Sequence, residues 1–156
     1  MKEIDVAMVI GKDDSGRYLG LRQNLSHNDD PRYRENPWET PGGKPEEDEE
    51  FPDDIVATAA RELWEETGFR GKYVGPEEYP YQEYRIQHEQ IKEDEQGSEE
   101  KFQINFYPVP LRIDGEMPEP ELSSEHSDYQ WMSRSEFESE LPEHNVEGLH
   151  QVQVFF

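Results

Sequence analysis

Apolar residues recur along this chain at two different periods, and each predicts a different element. From residue 4 to residue 10 they alternate loosely and are rich in β-branched side chains, which predicts a strand. Lys12-Asp13-Asp14-Ser15-Gly16 reads as a turn, and residues 17–22 as the second strand of a hairpin. Residues 26–37 are polar, hold Pro31 and Pro37, and predict a long loop. Trp38-Glu39-Thr40 is a short extended piece, closed by a turn at Pro41-Gly42-Gly43. From Pro52 to Thr67 the period becomes helical: Ile55, Val56, Ala59, Ala60, Leu63 and Trp64 share one face. Pro52 suits the first turn, Asp53 and Asp54 complement the positive helix end, and Gly68 stands where a C-terminal cap belongs.

The second half is less regular. Residues 73–86 read as extended, with breaks at Gly75-Pro76 and Pro80, and the acidic stretch 87–101 as a mobile loop. Phe102, Ile104 and Phe106 alternate with polar neighbours as in a half-buried strand. A loop is expected over 113–124, and Tyr129 and Trp131 mark a short strand. Ser135 with Glu138 fits a capping box and predicts a short helix. Residues 146–156 fit helix and strand equally. There is no internal repeat. The pattern predicts one α+β domain over residues 1–156, a mixed sheet with helices packed on it.

Composition qualifies this picture. An apolar fraction of 31% with a net charge of −23 is a profile of disordered chains, but 12% aromatic residues and the strand patterns argue for a folded domain with an acidic surface. Acids number 38 against 15 bases and are dispersed, as in proteins of salt-loving organisms. Such a surface is expected to need salt, because the screening length falls to about 3 Å at 1 M. A nucleic-acid polymer is disfavoured as a partner, since phosphates attract Lys and Arg. With no cysteine there is neither a disulfide nor a thiolate metal site. No apolar run approaches membrane-spanning length, and Met1-Lys2-Glu3-Ile4 leads into a strand pattern rather than a signal peptide, so a cytoplasmic protein is expected.

The helix carries a second face. Glu62, Glu65 and Glu66 stand at i, i+3 and i+4, which sets three carboxylates side by side. A divalent cation turns that repulsion into coordination, and magnesium favours oxygen ligands completed by water and substrate phosphates. Without context, a solvated acidic face explains the same residues equally well. Pro41-Gly42-Gly43-Lys44 supplies context, because glycines let the backbone approach a ligand closely.

Arg61-Glu62-Leu63-Trp64-Glu65-Glu66-Thr67-Gly68-Phe69 resembles the second half of the Nudix box, Arg-Glu-apolar-x-Glu-Glu-x-Gly-apolar, with every defined position filled; Gly42-Gly43 matches its start. The resemblance is to MutT-like Nudix hydrolases. It implies a mixed sheet sandwiched between helices, and hydrolysis of a pyrophosphate bond in a nucleoside-diphosphate-linked substrate. It implies that Glu62, Glu65 and Glu66 hold Mg2+ or Mn2+, that Gly42 offers a backbone oxygen, and that Arg61 orients the acidic helix through a carboxylate. The spacing departs from the family. Counting forward from Gly43 selects Glu49 as the remaining box glutamate, whereas counting back from Arg61 selects Asp53. Asp53 is the expected partner of Arg61, because it keeps the helix register.

Glu125-His126-Ser127-Asp128-Tyr129-Gln130-Trp131 resembles the Glu-His-x-x-Tyr-x-Trp segment of two Nudix branches. One hydrolyses diadenosine tetraphosphate, and the other removes pyrophosphate from dihydroneopterin triphosphate and related nucleotides. This implies that Glu125 adds a carboxylate to the metal site. His126 reads as a hydrogen-bonding residue at a strand start rather than a ligand, and at least one of Tyr129 and Trp131 as core. The proton acceptor is Glu65 or an acid of the 89–100 stretch. Gly43, Lys44, Arg22 and Trp38 are candidates for holding a nucleotide, and Arg32 and Arg34 around Tyr33 could grip it by stacking and ion pairing. A homodimer is left open. Two other classes compete: a catalytically silent nucleotide sensor, which the complete glutamate set argues against, and an acidic adaptor, which leaves the box unexplained.

Overall fold

The computed structural model describes residues 2–26, 35–93, 95–114 and 119–156. Among these, eight strands form one mixed sheet: β1 Lys2–Lys12, β2 Tyr18–Gln23, β3 Trp38–Glu39, β4 Gly42–Gly43, β5 Gly71–Tyr73, β6 Ile86–Glu93, β7 Glu99–Ile113 and β8 His126–Met132. The helices are α1 Ile55–Thr67, the single turn α2 Tyr81–Tyr84, α3 Arg134–Glu140 and α4 Glu143–Val152, with a 3-10 turn at Gln153–Phe155.

The sheet is built around a parallel pair, β1 and β7, in register from Lys2 opposite Phe102 to Lys12 opposite Arg112. Successive residues of β1 enter different cores. Ala7 and Val9 pack with Ile55, Ala59 and Leu63 of α1, while Met8 and Ile10 pack with Phe137, Leu149 and Val152. The sheet is thus covered by α1 on one face and by α3 and α4 on the other. Burial on both faces is why the strand's alternation was loose. A fully buried aliphatic side chain stabilises by about 1.5–3 kcal/mol. Two layers therefore give a core to a chain that is only 31% apolar. No helix among the described residues is long and apolar enough to cross a membrane.

Several expectations are corrected. The stretch 87–101 is not a loop: β6 and β7 pair as a hairpin out to Glu93 opposite Glu99, and Gly97 takes φ 80° in the intervening turn. Exposed Gln, Glu, His and Lys side chains dominate this arm, and β6 buries only Ile86 fully, which leaves no apolar period to read there. Residues 73–86 are strand only at their two ends, Tyr73 in β5 and Ile86 in β6, with the helical turn Tyr81–Tyr84 between them. The capping box lies two residues earlier than expected, with Ser133 and Glu136 bonding each other's backbone. α1 begins at Ile55 rather than Pro52, with no acid in its first turn, and Trp64 is half exposed under the Arg70 guanidinium instead of buried. Gly68 does cap α1, at φ 75°. Gly42-Gly43 is a strand paired to Met8 and Ala7, not a free turn. The ambiguous C-terminal stretch is helical. Arg32, Tyr33 and Arg34 lie outside the described residues.

Candidate active site: an acidic helix against a glycine strand

Two contacts set the approach of α1 to the sheet. The Gly42 N–H donates to Glu66 Oε2 at 2.9 Å. At Gly43 an added Cβ would meet the Glu62 carboxylate, so only glycine leaves room for it. Glu66 is buried, at 5% exposure, whereas the Glu65 side chain is about half exposed. The three acids thus run from the sheet surface out to solvent.

Arg61 holds this acidic face together. Its Nε lies 3.1 Å from both oxygens of Glu49, and Nη2 reaches Glu49 Oε1 at 2.8 Å and the Lys44 carbonyl at 3.0 Å. Its Nη1 reaches Glu62 at 3.1 Å and Glu65 at 2.9 Å. Arg61 is therefore a structural clamp, but its partner is Glu49, not the exposed Asp53. The departure in spacing is an insert absorbed in turns before α1, where the Glu46 N–H donates to Glu49 and the Glu50 N–H to Asp54. Phe51 anchors this insert, its ring 4.7 Å from that of Tyr107. Register along the helix did not matter, because the insert lies outside the helix. Hydrogen bonding to Arg61 holds the Glu49 carboxyl below the usual range, and the Arg61 guanidinium is raised in return.

The last turn of α1 places Glu125. Its carbonyls at Glu66 and Thr67 accept N–H groups from Ser123 and Glu121, which fastens the 121–125 segment to the helix end. Asn24 grips the same segment through its N–H to the Glu125 carbonyl and its side chain to the Ser124 carbonyl. Glu125 consequently stands beside Glu66 and His126, with ligand atoms of all three within 4.8 Å of one another. Burial pushes the Glu66 carboxyl up to about 9; Glu62, Glu39 and Glu125 add to the rise, and the Gly42 N–H opposes it. Burial also raises Glu62, and the neighbouring Arg61 only partly compensates. Converging carboxylates, one of them buried, suit a hard divalent cation.

On the α4 side of the sheet lies a cleft of about 660 Å³, bounded by β1, β6, α4 and the 36–42 segment. Gly42 and Glu39 lie on its wall, so it adjoins the acids. Inside, the rings of Phe106 and His144 stack at 4.4 Å, and buried Asn145 donates to Thr40 Oγ1 at 3.1 Å while its Oδ1 is unpartnered. No sequence spacing pointed to Glu39, Thr40, His144 or Asn145, which meet only through the fold. Arg22 is exposed and pairs with Trp38 on the β2–β3 ladder; Trp38 packs against the second core. The Lys44 side chain is exposed. Tyr129 and Trp131 both pack on the first core.

The family model of the NUDIX domain matches residues 1–152. No curated protein matches the chain by sequence. Among solved structures, the Escherichia coli dihydroneopterin triphosphate pyrophosphohydrolase is similar at TM-score 0.62 with 16% identity, covering 99% of each chain. A MutT protein from Methanosarcina mazei Go1 is similar at TM-score 0.58 with 22% identity, over 98% of this chain and 94% of that one. A Caenorhabditis elegans Ap4A hydrolase reaches 0.55 with 14% identity, over 96% of both. At such identities these likenesses show the fold, whereas the family match spans nearly the whole sequence: the chain belongs to the NUDIX domain family.

Proposed function

We propose that the protein, as one domain over residues 1–156, hydrolyses a pyrophosphate bond in a nucleoside-diphosphate-linked small molecule with Mg2+ or Mn2+ held by Glu62, Glu65, Glu66 and Glu125. The observation that carries this reading is the buried Glu66 carboxylate, fixed by the Gly42 N–H within reach of Glu125. Its neighbours are acids, so a cation there offsets charge that the fold has otherwise left opposed. The donor set fits the metal, with the Gly42 carbonyl as a further oxygen. When bound, the metal would neutralise charge on phosphate oxygens and ease loss of a proton from the attacking water, which makes it a better nucleophile toward phosphorus. Glu65, the most exposed of the helix acids, would accept that proton. Arg61 is a positioning residue that keeps Glu62 and Glu65 aimed. Gly43 and Lys44 border the phosphates, and Arg22 and Trp38 lie toward the rest of the nucleotide. The adjoining cleft, with its aromatic stack and buried amide, suits a base.

A panel of diadenosine tetraphosphate, dihydroneopterin triphosphate, nucleoside triphosphates, ADP-ribose and other nucleotide sugars tests this. Phosphate or pyrophosphate release that needs Mg2+ or Mn2+ is the expected result. Nucleotide binding without turnover of any of them would favour the silent sensor.

We also propose that the acidic surface adapts the protein to molar salt inside the cell. Self-repulsion among 38 acids and 15 bases weakens as the screening length shrinks. The melting temperature in chelator should rise between about 0.1 and 2 M potassium chloride, where the screening length contracts from about 10 Å to below 3 Å. A flat or falling curve removes the salt adaptation and leaves the enzyme reading untouched.

A further inference from the structure

We propose that His126 supplies a nitrogen ligand, Nδ1, to the cation held by Glu66 and Glu125. This rests on the function proposed above but goes beyond its all-oxygen donor set. It also revises the sequence expectation that His126 only forms a hydrogen bond. That bond exists: Nε2 lies 2.9 Å from Glu39 Oε1, on a side chain 1% exposed. The second ring nitrogen is the informative one. Nδ1 is buried and has no hydrogen-bond partner.

With Glu39 Oε1 as the acceptor, Nε2 carries the proton, and in the neutral ring Nδ1 then presents a lone pair. A buried acceptor without a partner is costly and uncommon. Here a ring nitrogen of His126 lies within 4.8 Å of carboxylate oxygens of Glu66 and Glu125. A cation between them would satisfy the lone pair and the acids together. The arrangement carboxylate, histidine, metal is the one by which metal-bound histidines are held in orientation, through the N–H that does not face the ion. The backbone shows a matching irregularity. The β2–β8 ladder shifts register between Arg22 and Gln23, where Gln23 pairs with His126. Such shifts re-aim a side chain next to functional sites. Imidazole nitrogen suits transition metals better than it suits magnesium. His126 therefore gives the site a preference for Mn2+ over Mg2+ that the glutamates alone would not.

The test uses Mn2+ alone on the nucleotide-free protein, read by pulsed electron paramagnetic resonance. Nitrogen coupling to Mn2+ is expected, and it should change when the protein's histidines carry 15N. In His126→Gln the amide nitrogen keeps the donation to Glu39 but no ring nitrogen remains. The coupling should vanish, Mn2+ affinity by calorimetry should fall about tenfold or more, and Mg2+ affinity should fall less. Mn2+ bound stoichiometrically without nitrogen coupling, or coupling that persists in His126→Gln, overturns the assignment and leaves the carboxylate site standing. Failure of Mn2+ to bind at all overturns the metal site and His126 with it. The isotope comparison on the unsubstituted protein decides the matter even where His126→Gln does not fold.

Discussion

Glu66→Gln is expected to lower turnover by roughly 10²–10³-fold and yet to stabilise the metal-free protein above neutral pH. Both effects follow from one buried carboxylate. The glutamine carbonyl can still accept the Gly42 N–H that Glu66 accepts at 2.9 Å, so the contact between helix and sheet survives. What is lost is a charge for the cation. The stability effect has a definite sign. Burial raises the folded-state carboxyl from 4.5 to about 9, so folding favours its protonated form. That contribution is complete below about pH 4.5 and disappears as pH rises through about 9. In chelator, each pH unit inside the window costs the unsubstituted protein up to about 1.4 kcal/mol, because the unfolded chain gives up a proton that burial makes the folded carboxyl keep. Glutamine does not titrate. Melting temperatures measured in chelator from pH 6 to 9 should fall for the unsubstituted protein and fall less for Glu66→Gln. Parallel curves would remove the burial argument. A folded variant with near-normal turnover would remove Glu66 from the metal site.

The same helix shows what sequence carries and what it does not. Glu62, Glu65 and Glu66 were legible because helical geometry alone puts i, i+3 and i+4 together. That Glu66 is buried while Glu65 faces water was not legible, since it depends on where β4 runs against β1. Arg61 was recognised as a clamp, but the choice of partner failed. Counting along the chain assumed that the insert continues the helix, whereas it folds back as turns and delivers Glu49 from outside. The hairpin of β6 and β7 failed for a related reason: a strand exposed over most of its length has no apolar period to read. Glu125 was reached through a motif rather than through its physical cause, the capping of α1 carbonyls by Ser123 and Glu121. The contacts of Glu39 with His126 and of Thr40 with Asn145 join residues 87 and 105 positions apart, and no local rule spans such distances.

Adjacent glycines should fail in different ways when each is changed to alanine. At Gly42 the new methyl would fall on the carbonyl oxygen of Ala7, a backbone atom of β1. β1 is held along its length by the parallel ladder to β7, so it cannot retreat without breaking sheet hydrogen bonds. Overpacking against a fixed backbone costs about 1–3 kcal/mol and sometimes more. Gly42→Ala should therefore lower the melting temperature by about 5–10 °C. At Gly43 the methyl would meet the Glu62 carboxylate, the end of a flexible side chain. Glu62 can swing away from it, giving up its 3.1 Å contact with Arg61 Nη1. The fold then survives and the site does not. Gly43→Ala should melt within a few degrees of the unsubstituted protein, bind Mn2+ more weakly and turn over about 10²-fold more slowly, the cost of a misplacement near 1 Å. Melting curves, Mn2+ calorimetry and turnover at saturating metal separate the two. If Gly43→Ala loses as much stability as Gly42→Ala, the backbone rather than Glu62 has yielded. If it keeps full turnover, Glu62 does not hold the metal.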